Sequence, residues 1–160
     1  MVYVKLFEEY INDAEIIVKI GDYVLTRKDI ETKYKDKISK YYGEYTEDTI
    51  IEATWTLNDI ANFYDNGGEL YRVVWLENIN DFDSKELGHH WVSCRSDVEN
   101  IVDIFNTYRE STDTGEPYVI KSYTPPNNVS VPYDYWNNLD EHEILVVDDK
   151  KLVFVEIQKY

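Results

Sequence analysis

From residue 69 onward the apolar residues of this chain fall into short runs closed by Gly, Pro, Asn and Asp, and no other feature narrows the fold as far. Residues 69–76, Glu-Leu-Tyr-Arg-Val-Val-Trp-Leu, form the strongest run; 87–93, 117–123, 143–147 and 152–157 follow it. Runs rich in β-branched and aromatic residues, bounded by turn-formers, read as strands. Asp148-Asp149-Lys150, between the last two runs, reads as the tight connection of a terminal hairpin. One stretch of this half has helical spacing instead, with Val98, Ile101, Val102 and Phe105 inside 97–108. Antiparallel strands with helices before and between them make an α+β domain.

The first half is mixed. Two short apolar runs, 16–20 and 23–25, flank Gly21-Asp22, a hairpin signature because glycine supplies the turn conformation. Thr26 can cap a helix that starts at Arg27, runs to about Tyr42 and stops at Gly43. Lys28, Lys33, Lys35, Lys37 and Lys40 give that helix a basic stripe, which reads as a solvated face. Residues 46–57 suit helix and strand equally. Residues 58–64 read as helix, ended by Asn66-Gly67-Gly68. No repeat or long linker divides the 160 residues. They are expected to form a single domain, 1–68 mainly helical and 69–160 strand-rich.

Charge narrows the partners. The chain carries 32 acidic and 16 basic residues, a formal net charge of −16. Direct binding to nucleic acid or to an anionic membrane needs basic patches, so neither is expected. A protein target with a basic surface fits better. The single Cys94 excludes an internal disulfide framework, and a reducing cytoplasm is the simplest setting. No apolar run approaches the length of a transmembrane helix. Residues 1–9 lack the basic end and apolar stretch of a signal peptide. Fifteen Tyr, with abundant Asn, Ile, Lys and Asp, suit an AT-rich genome such as that of a low-GC bacterium or its phage.

The chemistry concentrates at Asp140-Glu141-His142-Glu143, which opens the run 143–147. Residues two apart on a strand share a face, so Glu141 and Glu143 are expected to project into one space. Like charges so close resist joint ionisation, the situation of an acid, a base or a cation-binding centre. A solvated strand end in an acidic chain is the plain alternative.

Three segments carry a family resemblance. Leu70-Tyr71-Arg72-Val73-Val74 is a strand with a single Arg. Leu87-Gly88-His89-His90-Trp91-Val92-Ser93 is a short run ending in Ser before a helix. Glu141-His142-Glu143 opens a late strand. In this order they resemble the R–S–E signature of the mono-ADP-ribosyltransferase fold, in its arginine-type branch. The match spans about 69–160. With the helix starts aligned, the family's leading Ser falls on Trp91 and its Ser-Thr-Ser run ends at Ser93.

The resemblance implies an N-terminal helical part followed by two packed, mainly antiparallel sheets with a central cleft. It implies NAD as co-substrate and transfer of ADP-ribose to a macromolecule, expected to be a protein arginine, with loss of nicotinamide. Glu143 would hold the ribose and face the anomeric carbon. Glu141 would orient and deprotonate the acceptor. Arg72 would grip the cofactor's phosphates or adjacent ribose, or else be a strand Arg paired with an acid. Ser93 would brace Glu143, or be an ordinary surface Ser. Trp91 or His90 would stack on nicotinamide, or serve in packing.

Other chemistries have less support. His89, His90, His142 and Cys94 are the only His and Cys ligands, and no zinc spacing joins them. There is no Gly-x-Ser-x-Gly and no phosphate-binding Gly loop. A non-catalytic role remains open. An acidic, Tyr-rich protein can occupy a basic surface on a host protein, as a phage-type inhibitor or nucleic-acid mimic does, with salt-sensitive association.

Overall fold

In the computed structural model, residues 15–109 and 114–160 are described. The first nine residues, read above for a leader, lie outside them.

Strands β1 (Ile16–Ile20) and β2 (Tyr23–Thr26) form the expected hairpin about Gly21, whose φ is +55°. Thr26 then starts a helix with a capping box: its hydroxyl accepts from the Asp29 amide, and the Asp29 carboxylate accepts from the Thr26 amide. The helical stretch comprises α1 (Arg27–Asp29), a wider π segment (Ile30–Tyr34) and α2 (Lys35–Tyr42), and ends on left-handed Gly43. Helix α3 (Glu47–Asn66) resolves the ambiguous 46–57. Its Ile50, Ala53, Leu57 and Ile60 are buried at helical spacing, and Thr46 caps it.

The strands are β3 (Gly68–Leu76), β4 (His90–Val92), β5 (Glu116–Thr124), β6 (Val129–Ser130), β7 (Glu143–Val146) and β8 (Val153–Lys159), with α4 (Arg95–Tyr108) after β4. They form one six-stranded antiparallel sheet in the order β6-β7-β4-β3-β5-β8. The fold is α+β. Two expectations are corrected. The two separate sheets are halves of one sheet, a short half β6-β7-β4 and a long half β3-β5-β8. A single register pair, Tyr71 with Val92, joins them. The terminal hairpin is also absent, because β7 pairs β4 and β6 while β8 pairs β5 at the far edge. The turn residues between them have another use. Asp148 accepts from the Lys150 amide, and its own backbone is held at both ends by the Asn128 side chain.

Cross-strand partners in an antiparallel sheet share a face, so register divides the side chains. Leu70, Ile120, Trp91 and Ile144 enter the larger core beneath α3 and the hairpin. Val92 and Val119 face the other way, against Val98 and Val102 of α4, with Tyr71 and Val73 packed alongside. The larger core draws on residues from Val18 to Leu152, so the helical part and the sheet share it. No helix among the described residues is long and apolar enough to cross a membrane.

Candidate functional site

Glu143 owes its position to register. It pairs with Val92, which pairs in turn with Tyr71, so Tyr71, Val92 and Glu143 form a row on the α4 face. His90 stands diagonally from Glu143 on that face, and its Nδ1 is bonded to the Glu143 carboxylate. A cleft of about 560 Å³ opens between this row, the first turns of α4 and the segment 140–143. Asp97, Asn100, Ile101 and Ile104 form its helical wall.

Segment 140–143 reaches the cleft because the loop before it is pinned from below. Tyr135 is buried, and its hydroxyl donates to the Ala53 carbonyl of α3 (2.5 Å). Trp136 stacks on Tyr34 with centroids 4.0 Å apart. Lys37 donates to the Asn137 side chain, Leu139 is buried, and the Glu141 amide donates to the Asn138 carbonyl (3.1 Å). The helical N-terminal part therefore aims the acidic segment. Three of the lysines in the stripe have local uses: Lys33 pairs with Asp29 (3.2 Å), Lys35 lies over the Tyr45 ring, and Lys37 holds the loop.

Glu141 lies just before β7 rather than on it, yet it still feels Glu143. Partial burial raises its carboxyl above the ordinary range, and repulsion from Glu143, Asp134 and Asp140 adds to this. On the opposite rim the Asp97 carboxylate collects two donors. Cys94 Sγ donates to Oδ2 (2.9 Å), and His142 Nδ1 lies 3.2 Å from Oδ1. Among the described residues, no three His, Cys, Asp or Glu side chains are grouped to hold a metal ion.

Of the six residues that sequence reasoning singled out, Glu143, Glu141 and His90 meet in this cleft. Arg72 and Trp91 also border it, but their side chains, like that of Ser93, bond elsewhere. The Arg72 guanidinium lies over Gly88 and donates from Nη1 to the Leu87 carbonyl (2.5 Å). Burial lowers the guanidinium pKa, an effect that nearby Asp149 partly offsets, and Asp149 accepts from the Gly88 amide (3.0 Å). Arg72 is thus a strut beneath the 87–88 turn, which the Gly88–Asp149 bond ties to the β7–β8 connection. Trp91 is 1% exposed and donates from Nε1 to the Gly88 carbonyl (2.9 Å), which is core packing and leaves no ring free to stack. Ser93 donates to Asp59 Oδ2 on α3 (3.3 Å) rather than to Glu143. Sequence reasoning passed over Tyr71, Asp97, Asn100 and Ile104. The signal for Asp97 was its place in the first turn of a helix that follows a strand; Tyr71 needed the register.

No family model, curated protein or solved structure matches the chain.

Proposed function

We propose that the protein is an NAD-dependent mono-ADP-ribosyltransferase acting on a macromolecule, with a protein arginine as acceptor. The observation that carries this reading is the adjacency of β3, β4 and β7, the strands bearing the R-, S- and E-like segments. Of these segments the E-like one presents its carboxylates to the cleft, joined there by His90 of β4, while Arg72 and Ser93 bond on the other face. The strand order, in a sheet divided between β3 and β4, sets Glu143 and Glu141 together at one cleft.

The cleft suits the reacting end of NAD. Its volume is in the range of small-molecule sites, and the nicotinamide ring of NAD is cationic, which four facing carboxylates (Asp97, Asp140, Glu141, Glu143) attract. The C–N bond to the ribose breaks and nicotinamide leaves with its electron pair. Positive charge then develops at the anomeric carbon beside the Glu143 carboxylate. Preorganised groups of this kind contribute about 10²- to 10³-fold in rate. His90 fixes the orientation of that carboxylate. The acceptor nitrogen forms the new bond to the anomeric carbon, and its proton passes to Glu141, whose raised carboxyl suits a general base. The diphosphate needs a cation. Arg72 is turned away, but Arg95 stands exposed on the first turn of α4, two residues before Asp97. We propose Arg95 for that role, at a helix N-terminus, the end of a helix that favours anions.

The test is labelled NAD with agmatine, a small guanidino acceptor. Native protein should label agmatine. Glu141→Gln should lose transfer while keeping nicotinamide release to water, because only the acceptor step uses that base. Equal transfer by both proteins would remove Glu141 from the mechanism.

One observation favours a second reading, that of a non-catalytic acidic protein that occupies a basic surface on another protein. The cleft is lined by those four carboxylates, while Arg72 faces elsewhere. This reading predicts salt-sensitive association that survives Glu143→Gln.

A further inference from the structure

The cleft does not end at its own walls. On one side it shares Asp140 and His142 with a groove lined by Tyr41, Tyr42 and Trp55. On the other it shares Ile101 and Ile104 with an apolar groove formed with Trp75, Phe105 and Tyr108. The acidic segment 140–143 therefore lies between an aromatic patch on one side and an apolar groove on the other.

Both are unusually open for such residues: Trp55 is 64% exposed, Ile104 61% and Tyr108 80%. Single exposed hydrophobics are ordinary. Large ones gathered on both sides of one acidic segment mark an interaction surface.

Charge decides the occupant. Nucleic acid could stack on such aromatic rings, but its phosphates would meet Asp140, Glu141 and Glu143 in a chain of net charge −16. An anionic membrane is disfavoured for the same reason, and a second copy would bring the same acids to face these. A cation satisfies the acidic segment and apolar side chains satisfy the grooves that flank it.

We propose that this surface docks an extended segment of a partner protein in which an Arg or Lys stands between two bulky apolar residues. The cation enters among Asp140, Glu141 and Glu143. One apolar side chain rests on Trp55 and Tyr41, and the other in the Trp75–Phe105–Tyr108 groove. Docking of this kind stands whether or not the cleft turns over NAD, so it is tested without NAD.

The experiment titrates the full chain with fluorescein-labelled peptides that carry one Arg flanked by two Phe at graded separations. Control peptides replace the Arg by Glu or both Phe by Ser. Saturable binding by at least one Phe–Arg–Phe peptide is expected. It should weaken about tenfold or more in each control and in Trp55→Ser and Tyr108→Ser of the chain, the size of loss that aromatic anchors produce. Both substituted residues are exposed, so both variants should keep the native circular dichroism, and either alone suffices. The proposal is overturned if no peptide of the series binds. It is also overturned if basic peptides without Phe bind as well and both variants are neutral, since the contact is then charge alone. Tighter binding of a single-stranded oligonucleotide, or self-association, through the same aromatic residues would overturn it as well.

Discussion

Gly88 and Arg72 supply the sharpest test of the structural account. Gly88 has φ +81°, and a Cβ there would sit 1.6 Å from Arg72 Nη1. The flexible guanidinium can retreat only by giving up the Leu87 carbonyl. Gly88→Ala therefore carries two costs. Left-handed backbone at a residue with a Cβ costs about 1–2 kcal/mol. Losing a hydrogen bond to a charged, half-buried group costs about 1.5–3 kcal/mol. The single variant should lose about 2.5–5 kcal/mol. In an Arg72→Met background the second cost disappears, and Gly88→Ala should cost only the backbone strain of about 1–2 kcal/mol. The coupling between the sites is the difference, about 1.5–3 kcal/mol, well above the additivity expected of independent positions. Urea unfolding of the four proteins measures it from the midpoints, provided the slopes agree. A Gly88→Ala cost that is the same in both backgrounds would refute the strut, and with it the assignment of Arg72 to the face away from Glu143.

Three further outcomes follow from the site. Tyr135→Phe removes the hydroxyl that anchors the loop to α3 and should cost about 1 kcal/mol in urea unfolding, with a loss of agmatine labelling because segment 140–143 is no longer aimed. Glu141 predicts a pH dependence whose sign is fixed. Its carboxyl is raised in the fold, so the native state holds the proton to higher pH than the unfolded chain does, and this group's contribution to stability declines as pH rises above the ordinary carboxylate range. Glu141→Gln should flatten that decline in unfolding curves. In the native protein, transfer should fall as pH drops through the raised value, where the base becomes protonated. Arg95→Ala should raise the KM for NAD with a smaller effect on kcat, read from steady-state nicotinamide release; an unchanged KM would move the diphosphate elsewhere.

Much of the fold was legible because its signals are local. The Gly21-Asp22 turn, the Thr26 cap and the Gly43 stop all appear where their chemistry placed them. Helix α3 was obscured by its own residues. Thr49, Ile50, Ile51, Thr54 and Thr56 are β-branched and suit a strand, and tertiary burial of the Ile50–Leu57–Ile60 stripe outweighs that preference. The terminal hairpin failed for a different reason. A run, a turn and a run specify a local reversal, but Asp148 and Asn128 satisfy each other, and β8 pairs with β5 at the far edge of the long half. The site was half legible. The Glu pair and the helix after β4 follow from sequence order, and Glu143, Glu141 and His90 do converge. Which way Arg72, Trp91 and Ser93 point depends on a register between strands far apart in sequence. The pair Tyr71–Val92 puts the odd residues of β3 on the Glu143 face and Arg72 on the other. One residue of slip would reverse this.

The most direct test of the central claim is nicotinamide release from NAD by the full chain, native against Glu143→Gln. The exchange removes one negative charge and keeps the shape. Native protein should release nicotinamide, and the variant should be slower by about 10²- to 10³-fold with NAD binding retained. Release that is equal in the two proteins, or native protein that neither binds NAD nor cleaves it, would contradict the transferase and leave the acidic cleft to a cationic partner alone.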